Sequence, residues 1–275
     1  MCYCRSVYTK NIMMKNDLFR FRKTRDFGEL LSDTFKFLRE NGKSFFSINL
    51  KICAPFLLAL ILSNAYYTYV TLGVGFNGLM NFSGFLIPAL INLLAVFVYI
   101  TALYLSVMNY IKSYMANEGI VREEEVKNGL KNDLGSGLGL HLLIGIMVVT
   151  GFLFLFPGIY LMVVFSVSLP ILVFEKKGIS DIISSSFQLI KDNWWLTFGL
   201  LLVFGIIMYV INMIFQLPLI IYMIINMVSG IDAGLETMVA NIENKDPVFI
   251  ALTILASIAQ YIFCLLYTSP SPRDS

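Results

Sequence analysis

Long apolar stretches separated by short polar segments dominate the pattern along this chain. A helix needs about 20 mostly apolar residues to cross a hydrocarbon core of about 30 Å. Five stretches come close to this length or exceed it, and a shorter sixth begins at Val248. The pattern therefore predicts an all-α, polytopic membrane helical bundle of about six spans in three hairpins. The predicted spans cover residues 52–70, 85–108, 138–156, 158–174, 195–215 and 248–263.

Composition supports membrane partitioning. Of the 275 residues, 57% are hydrophobic and 14% are charged, and the mean hydropathy is +0.76. A soluble domain carries about 25% charged residues, so a water-soluble core would not hide this much apolar surface. The formal net charge of +2 gives no sign of a nucleic-acid partner. The polar N-terminal segment contains no apolar core of a cleavable signal peptide.

The distribution of basic residues predicts the orientation. Of the 20 Lys and Arg residues, 18 fall on one side of the predicted bundle, while Lys245 falls on the other and Arg273 lies in the C-terminal tail. Positive charge is enriched in cytoplasmic loops, so the N-terminus is expected in the cytoplasm. Trp194 and Trp195 are then expected at the inner start of the fifth span, and the turn at Pro157 at the outer surface.

An internal repeat precedes two of the spans. Residues 29–41 (ELLSDTFKFLREN) align without gaps on residues 181–193 (DIISSSFQLIKDN). Apolar residues at helical spacing in both copies predict amphipathic helices that lie on the cytoplasmic leaflet. Residues 118–133 are a weaker third copy, so each hairpin is expected to follow one such helix. The predicted interfacial residues are Leu31, Phe35 and Leu38 in the first copy and Ile183, Phe187 and Ile190 in the second.

Domain boundaries follow from these assignments. A cytoplasmic segment with the first amphipathic helix covers residues 1–49, and the membrane domain covers residues 50–263. The tail, residues 264–275, contains CLLYTSPSPRD, which is similar to a translated sequencing adapter, so we exclude it from the predicted fold. The start of translation is open between Met1, Met13 and Met14. Residues 216–228 have three alternatives, a Pro-kinked extension of the fifth span, a surface segment or a re-entrant segment, of which the first two are preferred.

Polar residues inside the predicted spans are few. The spans contain no Asp, Glu, Lys or Arg, which are the usual markers of ion pathways. His141, the single histidine, is either a hydrogen-bonding partner of a neighbouring helix, which we favour, or a proton or ligand site. A polar cavity is the alternative to simple interhelical bonding for the whole set. Its candidate residues are Asn64, Asn92, His141 and Asn212.

No catalytic, metal or cofactor site is expected. The four cysteines and one histidine lack the spacing of a zinc site or a disulfide framework. The glycine-rich run 135–139 lacks the strand that a dinucleotide-binding loop requires, and a flexible entry into the third span explains it better. Glu123, Glu124 and Glu125 are typical of a solvated helix face.

Residues 157–207 resemble a known family. The segment is similar to bacterial polytopic proteins related to the membrane domain of glycerophosphoryl diester phosphodiesterases. In such families the chemistry belongs to a soluble domain fused to the membrane module, and its cluster of Glu, Asp and His is not seen in these residues. The resemblance implies a membrane module of unassigned activity in a bacterial inner membrane. The matching positions are Pro157, Gly158, Ile159, Tyr160, Pro170, Glu175, Gly178, Ser186, Leu189, Lys191 and Trp195.

Three functions are compatible with these features. The first is a non-enzymatic scaffold or accessory module for membrane-protein partners or lipids. Its amphipathic cytoplasmic helices would form the contact surface, and the basic residues Arg20, Arg22, Lys23 and Arg25 would meet anionic lipid headgroups. The second is a small-molecule permease, and the third is a lipid-modifying enzyme. The third is least favoured because no nucleophile and base pair can be named.

Overall fold

The computed structural model describes residues 27–72, 82–231 and 247–267, and these residues form helices joined by short turns. No strand occurs within those ranges. The turns are tight, so that helices α2 to α7 follow one another almost without interruption. The helices are α1 (Phe27–Leu72), α2 (Phe82–Ala116), α3 (Glu123–Phe152), α4 (Phe156–Phe165), α5 (Ser168–Glu175), α6 (Ile179–Lys191), α7 (Trp194–Ile231) and α8 (Pro247–Tyr267).

The all-helical fold class is confirmed, and the protein is membrane-embedded. Five stretches among the described residues are long and apolar enough to cross a bilayer. One of them combines α4 and α5, and α8 contributes a shorter apolar stretch, Val248–Gln260. The exact number of crossings stays a prediction. The five long stretches are Ser32–Val70, Leu86–Ala116, Glu123–Phe152, Phe156–Glu175 and Trp194–Ile225.

The first repeat copy does not form a helix of its own. Residues 29–41 are the beginning of α1, which continues without a break for 46 residues, or about 69 Å at 1.5 Å per residue. No proline interrupts the chain before Pro55, and each added residue of a formed helix gains one hydrogen bond. Residues 123–133 likewise begin α3. The separate amphipathic helix expected before each hairpin is found only for the second copy, as α6.

Aromatic side chains hold the first half of α1 against α2. The Phe37 ring meets Tyr114 edge-on at 5.6 Å between centroids, and Phe45 meets Tyr110 in the same way at 5.2 Å. All four side chains are buried. One face of this part of α1 therefore packs on protein, and its expected position on the cytoplasmic leaflet stays a prediction.

The predicted lipid-facing residues of the first copy have mixed environments. Phe35 is 53% exposed, as a membrane-contacting side chain would be. Leu38 is partly buried against the core. The side chain of Leu31 lies outside the described residues. The first copy thus has one face on α2 and another left open.

Close approach of α2 and α3 depends on two glycines. A Cβ on Gly137 would come within 2.6 Å of Leu105 Cδ1, and a Cβ on Gly129 within 2.1 Å of Asn109 Oδ1. Small residues let membrane helices pack closely in this way. The run 135–139 lies inside α3, and its central glycine is a packing residue. The expectation of a flexible entry at this run was therefore wrong.

The apolar segment after the fifth predicted span continues the same helix. Residues 216–228 belong to α7, which runs through Pro218 to Ile231. Of the three alternatives for this segment, the extension of the fifth span is the one observed. Further along the chain, Phe249 of α8 meets Tyr222 of α7 at 6.5 Å between ring centroids, and α8 also packs on α1.

Candidate functional site

A ladder of small and polar residues joins α2 to α3. Residues four apart share one face of a helix, and α2 presents Thr101, Leu105, Asn109 and Ser113 in this way. Thr101 Oγ1 shares a hydrogen bond of 2.7 Å with Nδ1 of His141. At the other end of the ladder, Ser113 Oγ donates to Oε2 of Glu125 at 2.7 Å. Polar contacts therefore join the two helices at both ends of this segment.

Asp133 is the buried charge of this ladder. Its side chain is 7% exposed, and Asn109 Nδ2 donates to its Oδ2 at 3.4 Å. Lys176, which follows α5 in a left-handed conformation with φ of 54°, forms an ion pair with its Oδ1. Lys112 Nζ donates to the Val173 carbonyl at 3.0 Å. These contacts join α2, α3 and the end of α5, and two of them involve the Asp133 carboxylate.

Asp133 lies outside the predicted span 138–156, so it was not among the site residues expected from the sequence. A signal was nevertheless present. Buried residues of α3 recur every three or four positions, and Asp133 falls on that face. An acidic residue in register with an apolar face predicts a buried charge. The buried residues are Val126, Leu130, Asp133, Gly137, Leu140, Ile144 and Gly151.

A second buried polar contact joins α1 to α2. Ser106 Oγ donates to Asn49 Oδ1 at 2.7 Å, and Asn49 Nδ2 donates to the Phe45 carbonyl at 2.8 Å. Asn49 and Ser106 are fully buried. Most of the buried polar side chains described so far in α1, α2 and α3 therefore form hydrogen bonds to a neighbouring helix.

Three of the four candidate cavity residues lie in separate contacts. Asn92 Oδ1 accepts from Ser63 Oγ at 3.3 Å. His141 bonds Thr101, which lies about 14 Å further along α2 than Asn92. Asn212 Oδ1 accepts from Gln216 one turn away on the exposed side of α7. Interhelical bonding accounts for Asn92 and His141, whereas a shared cavity stays a prediction.

Asn64 differs from the other three cavity candidates. Its Oδ1 is buried and has no hydrogen-bond partner among the described residues. Most buried polar atoms in proteins are hydrogen-bonded. Asn64 is therefore the one of the four with a buried, unpaired acceptor among the described residues.

An open groove of about 540 Å³ lies where α4, α6 and α7 meet. Trp194 stacks on two rings there, Tyr160 at 6.1 Å and Phe198 at 5.2 Å between centroids. Trp195 meets Trp194 edge-on and is 78% exposed. Trp194 Nε1 is buried without a hydrogen-bond partner among the described residues. The polar lining comes from Lys191, Asp192 and Asn193.

The second repeat copy positions this groove. The Phe187 ring contacts Phe165 and Tyr160 of α4, at 5.6 and 6.3 Å between centroids. Ile190 is buried, and Ile183 packs against the core. The apolar face of α6 therefore packs on α4 and α5, whereas the sequence predicts that it contacts the lipid leaflet. An amphipathic pattern does not distinguish between these two apolar surroundings.

The stacking of Tyr160 on Trp194 also corrects the predicted topology. The turn at Pro157 and the start of the fifth span were expected on opposite surfaces of the membrane. Rings 6.1 Å apart cannot be separated by a hydrocarbon core of about 30 Å. The two chain segments therefore meet at one level, because α6 runs back along α4.

No candidate metal site occurs among the described residues. They contain no group of three or more His, Cys, Asp or Glu that could hold a metal ion. Cys53 is buried and free. Comparison of the chain with family models, curated proteins and solved structures found no match. The resemblance of residues 157–207 to a membrane module therefore stays a prediction.

Proposed function

We propose that this protein is a multi-pass component of a bacterial inner membrane, with its N-terminus in the cytoplasm, that acts as a non-enzymatic scaffold or accessory module. In this role it contacts partner proteins or lipids through surfaces that its own fold leaves open. The concentration of Lys and Arg before the first predicted span supports the orientation.

The open surface of α7 carries the proposal. Its apolar stretch Trp194–Ile225 has 32 residues, or about 48 Å of helix. To fit into a hydrocarbon core of about 30 Å, such a helix would tilt by about 50°, which exceeds the usual range. Side chains such as Ile206, Tyr209 and Met213 are more than half exposed along it. A partner protein that covers part of α7 would shield the apolar residues that extend beyond the hydrocarbon core.

The interior of the bundle supports a structural role. The buried side chains of Asn49, Thr101 and Asn109 bond to neighbouring helices. Hydrogen bonds between buried side chains of neighbouring helices rigidify a packed core. A rigid α1–α3 unit beside an open α7 suits a protein that presents a surface to another molecule.

Site-specific photocrosslinking in native membranes tests the proposal. Photoreactive residues at Ile206, Tyr209 and Met213, which share one face of α7, should all form an adduct with the same protein. The same residue at Leu200, which is 5% exposed, serves as the control and should react within the chain. Adducts with lipid alone at the three exposed positions would contradict the scaffold.

A small-molecule permease is the second candidate, and the ion pair between the buried Asp133 and the half-exposed Lys176 favours it. Ionisable residues within membrane bundles often mark ion or substrate pathways. Reconstituted protein would then pass protons or cations, measured with an internal pH-sensitive dye, and Asp133→Asn would abolish the flux. Wild-type vesicles no leakier than empty ones would rule out this conduction.

A further inference from the structure

We propose that the groove between α4, α6 and α7 binds the headgroup of a zwitterionic membrane phospholipid. Lys191 and the Trp194 indole N–H would hold its phosphate, while Asp192 and the Trp195 ring would hold its ammonium group. The inference rests on the proposed function, because it specifies one lipid that the membrane module contacts.

The position of the groove suits a headgroup. Two of the five long apolar stretches, Phe156–Glu175 and Trp194–Ile225, begin at its lining residues. Immediately before Trp194 the chain is polar, with Lys191, Asp192 and Asn193. Tryptophan and tyrosine are enriched where hydrocarbon gives way to headgroups. The groove therefore lies at the depth at which phosphate and amine groups are found.

Charge complementarity favours a headgroup with both signs. Lys191 and Asp192 are neighbours in sequence and both line the groove. Both are exposed, and within the described part of the chain neither has an ion-pair partner. A purely anionic ligand would meet the Asp192 carboxylate as well as Lys191. A phosphate linked to an ammonium group satisfies both side chains at once.

The aromatic groups supply a donor and a cation-binding face. An indole N–H only donates, and that of Trp194 is buried without a partner among the described residues. Tyr160 and Phe198 both stack on Trp194, whereas Trp195 is largely exposed. The free face of an indole attracts ammonium groups. The Trp194 N–H is thus suited to phosphate and the Trp195 ring to the amine.

Tryptophan fluorescence reports directly on this groove, because Trp194 and Trp195 are the only two tryptophans of the chain. The purified full chain in detergent is titrated with short-chain phosphatidylethanolamine, phosphatidylglycerol and diacylglycerol, and with inorganic phosphate. Phosphatidylethanolamine should change the emission saturably. Phosphatidylglycerol should bind about tenfold more weakly, because it lacks the ammonium group, and diacylglycerol and inorganic phosphate should have no effect.

Single substitutions test each contact. Lys191→Gln and Asp192→Asn should each weaken phosphatidylethanolamine binding about tenfold. Trp194→Phe, observed through Trp195, should weaken it as well. Lys177→Gln is the matched control, since Lys177 pairs with Glu175 away from the groove, and it should bind like the wild type.

Three results would overturn the inference. Equal binding of phosphatidylglycerol, unchanged by Asp192→Asn, would make the site a general anion site. Emission that responds to protein concentration and not to lipid would assign the groove to a second copy of the chain. Tryptophan emission that no phospholipid changes would show that the groove does not bind a phospholipid headgroup. The photocrosslinks from α7 test the scaffold independently of all three.

Discussion

The Tyr160 ring stacks on the Trp194 indole, with centroids 6.1 Å and planes 19° apart. Tyr160 lies near the beginning of α4 and Trp194 is the first residue of α7, so α4, α5 and α6 together leave and return to one level of the molecule. The stretch Phe156–Glu175 is therefore not followed directly by the fifth predicted span. Helix α6 follows it back, and α7 starts beside the turn at Pro157.

The Asp133–Lys176 ion pair is expected to contribute measurably to stability. Lys176→Gln leaves a buried carboxylate with a single weak donor, so it should lower the free energy of unfolding by about 1–3 kcal/mol. Asp133→Asn together with Lys176→Gln should lose less than the two single losses combined, because the double variant leaves no unpaired charge. Chemical unfolding in detergent micelles measures these values.

The control for that pair is the exposed ion pair between Lys177 and Glu175. Lys177→Gln should change stability by about 0–1 kcal/mol. Equal effects of Lys176→Gln and Lys177→Gln would show that the burial of Asp133 is energetically unimportant.

Glycines of α3 should respond in opposite directions to alanine. Gly129→Ala places a methyl group on the Asn109 side chain and should lower stability by about 1–3 kcal/mol. Gly135 has no heavy atom within 4 Å of an added Cβ, so Gly135→Ala should leave stability unchanged or raise it by up to ~1 kcal/mol. Thermal unfolding of the two variants checks this, and an equal loss in both would contradict close packing at Gly129.

Neighbouring phenylalanines of the first repeat copy should differ sharply. Phe37 is buried against Tyr114 and Phe45, so Phe37→Ala should lower the free energy of unfolding by about 3–5 kcal/mol. Phe35 is 53% exposed, so Phe35→Ala should cost less than about 1 kcal/mol. If Phe35→Ala were the more damaging change in detergent, the packing of α1 on α2 would be wrong.

Most helices were predictable because long apolar stretches have few alternatives to a spanning helix. The merger of residues 29–41 with the first span was harder to predict, since the aromatic contacts of Phe37 and Phe45 with α2 hold that part of α1 in place. Local pattern alone also supports a surface helix there.

Some features of the site were predictable from the sequence and others were not. Asp133 could have been found from its register with Leu130 and Gly137 on the buried face of α3. The groove could not, because the apolar face of α6 suits a lipid surface and a protein surface equally. Only the packing of Phe187 on Tyr160 and Phe165 distinguishes the two surroundings.

The most direct test of this account is the sidedness of the groove. In a chain with its native cysteines replaced by serine, single cysteines are placed at Phe156 and Asp192, and a membrane-impermeant maleimide is applied to intact spheroplasts and to inverted vesicles. Both positions should react in the same preparation, because the stacked Tyr160 and Trp194 hold the two segments at one surface. Labelling of Phe156 from one side and of Asp192 from the other would contradict the groove and the inference built on it.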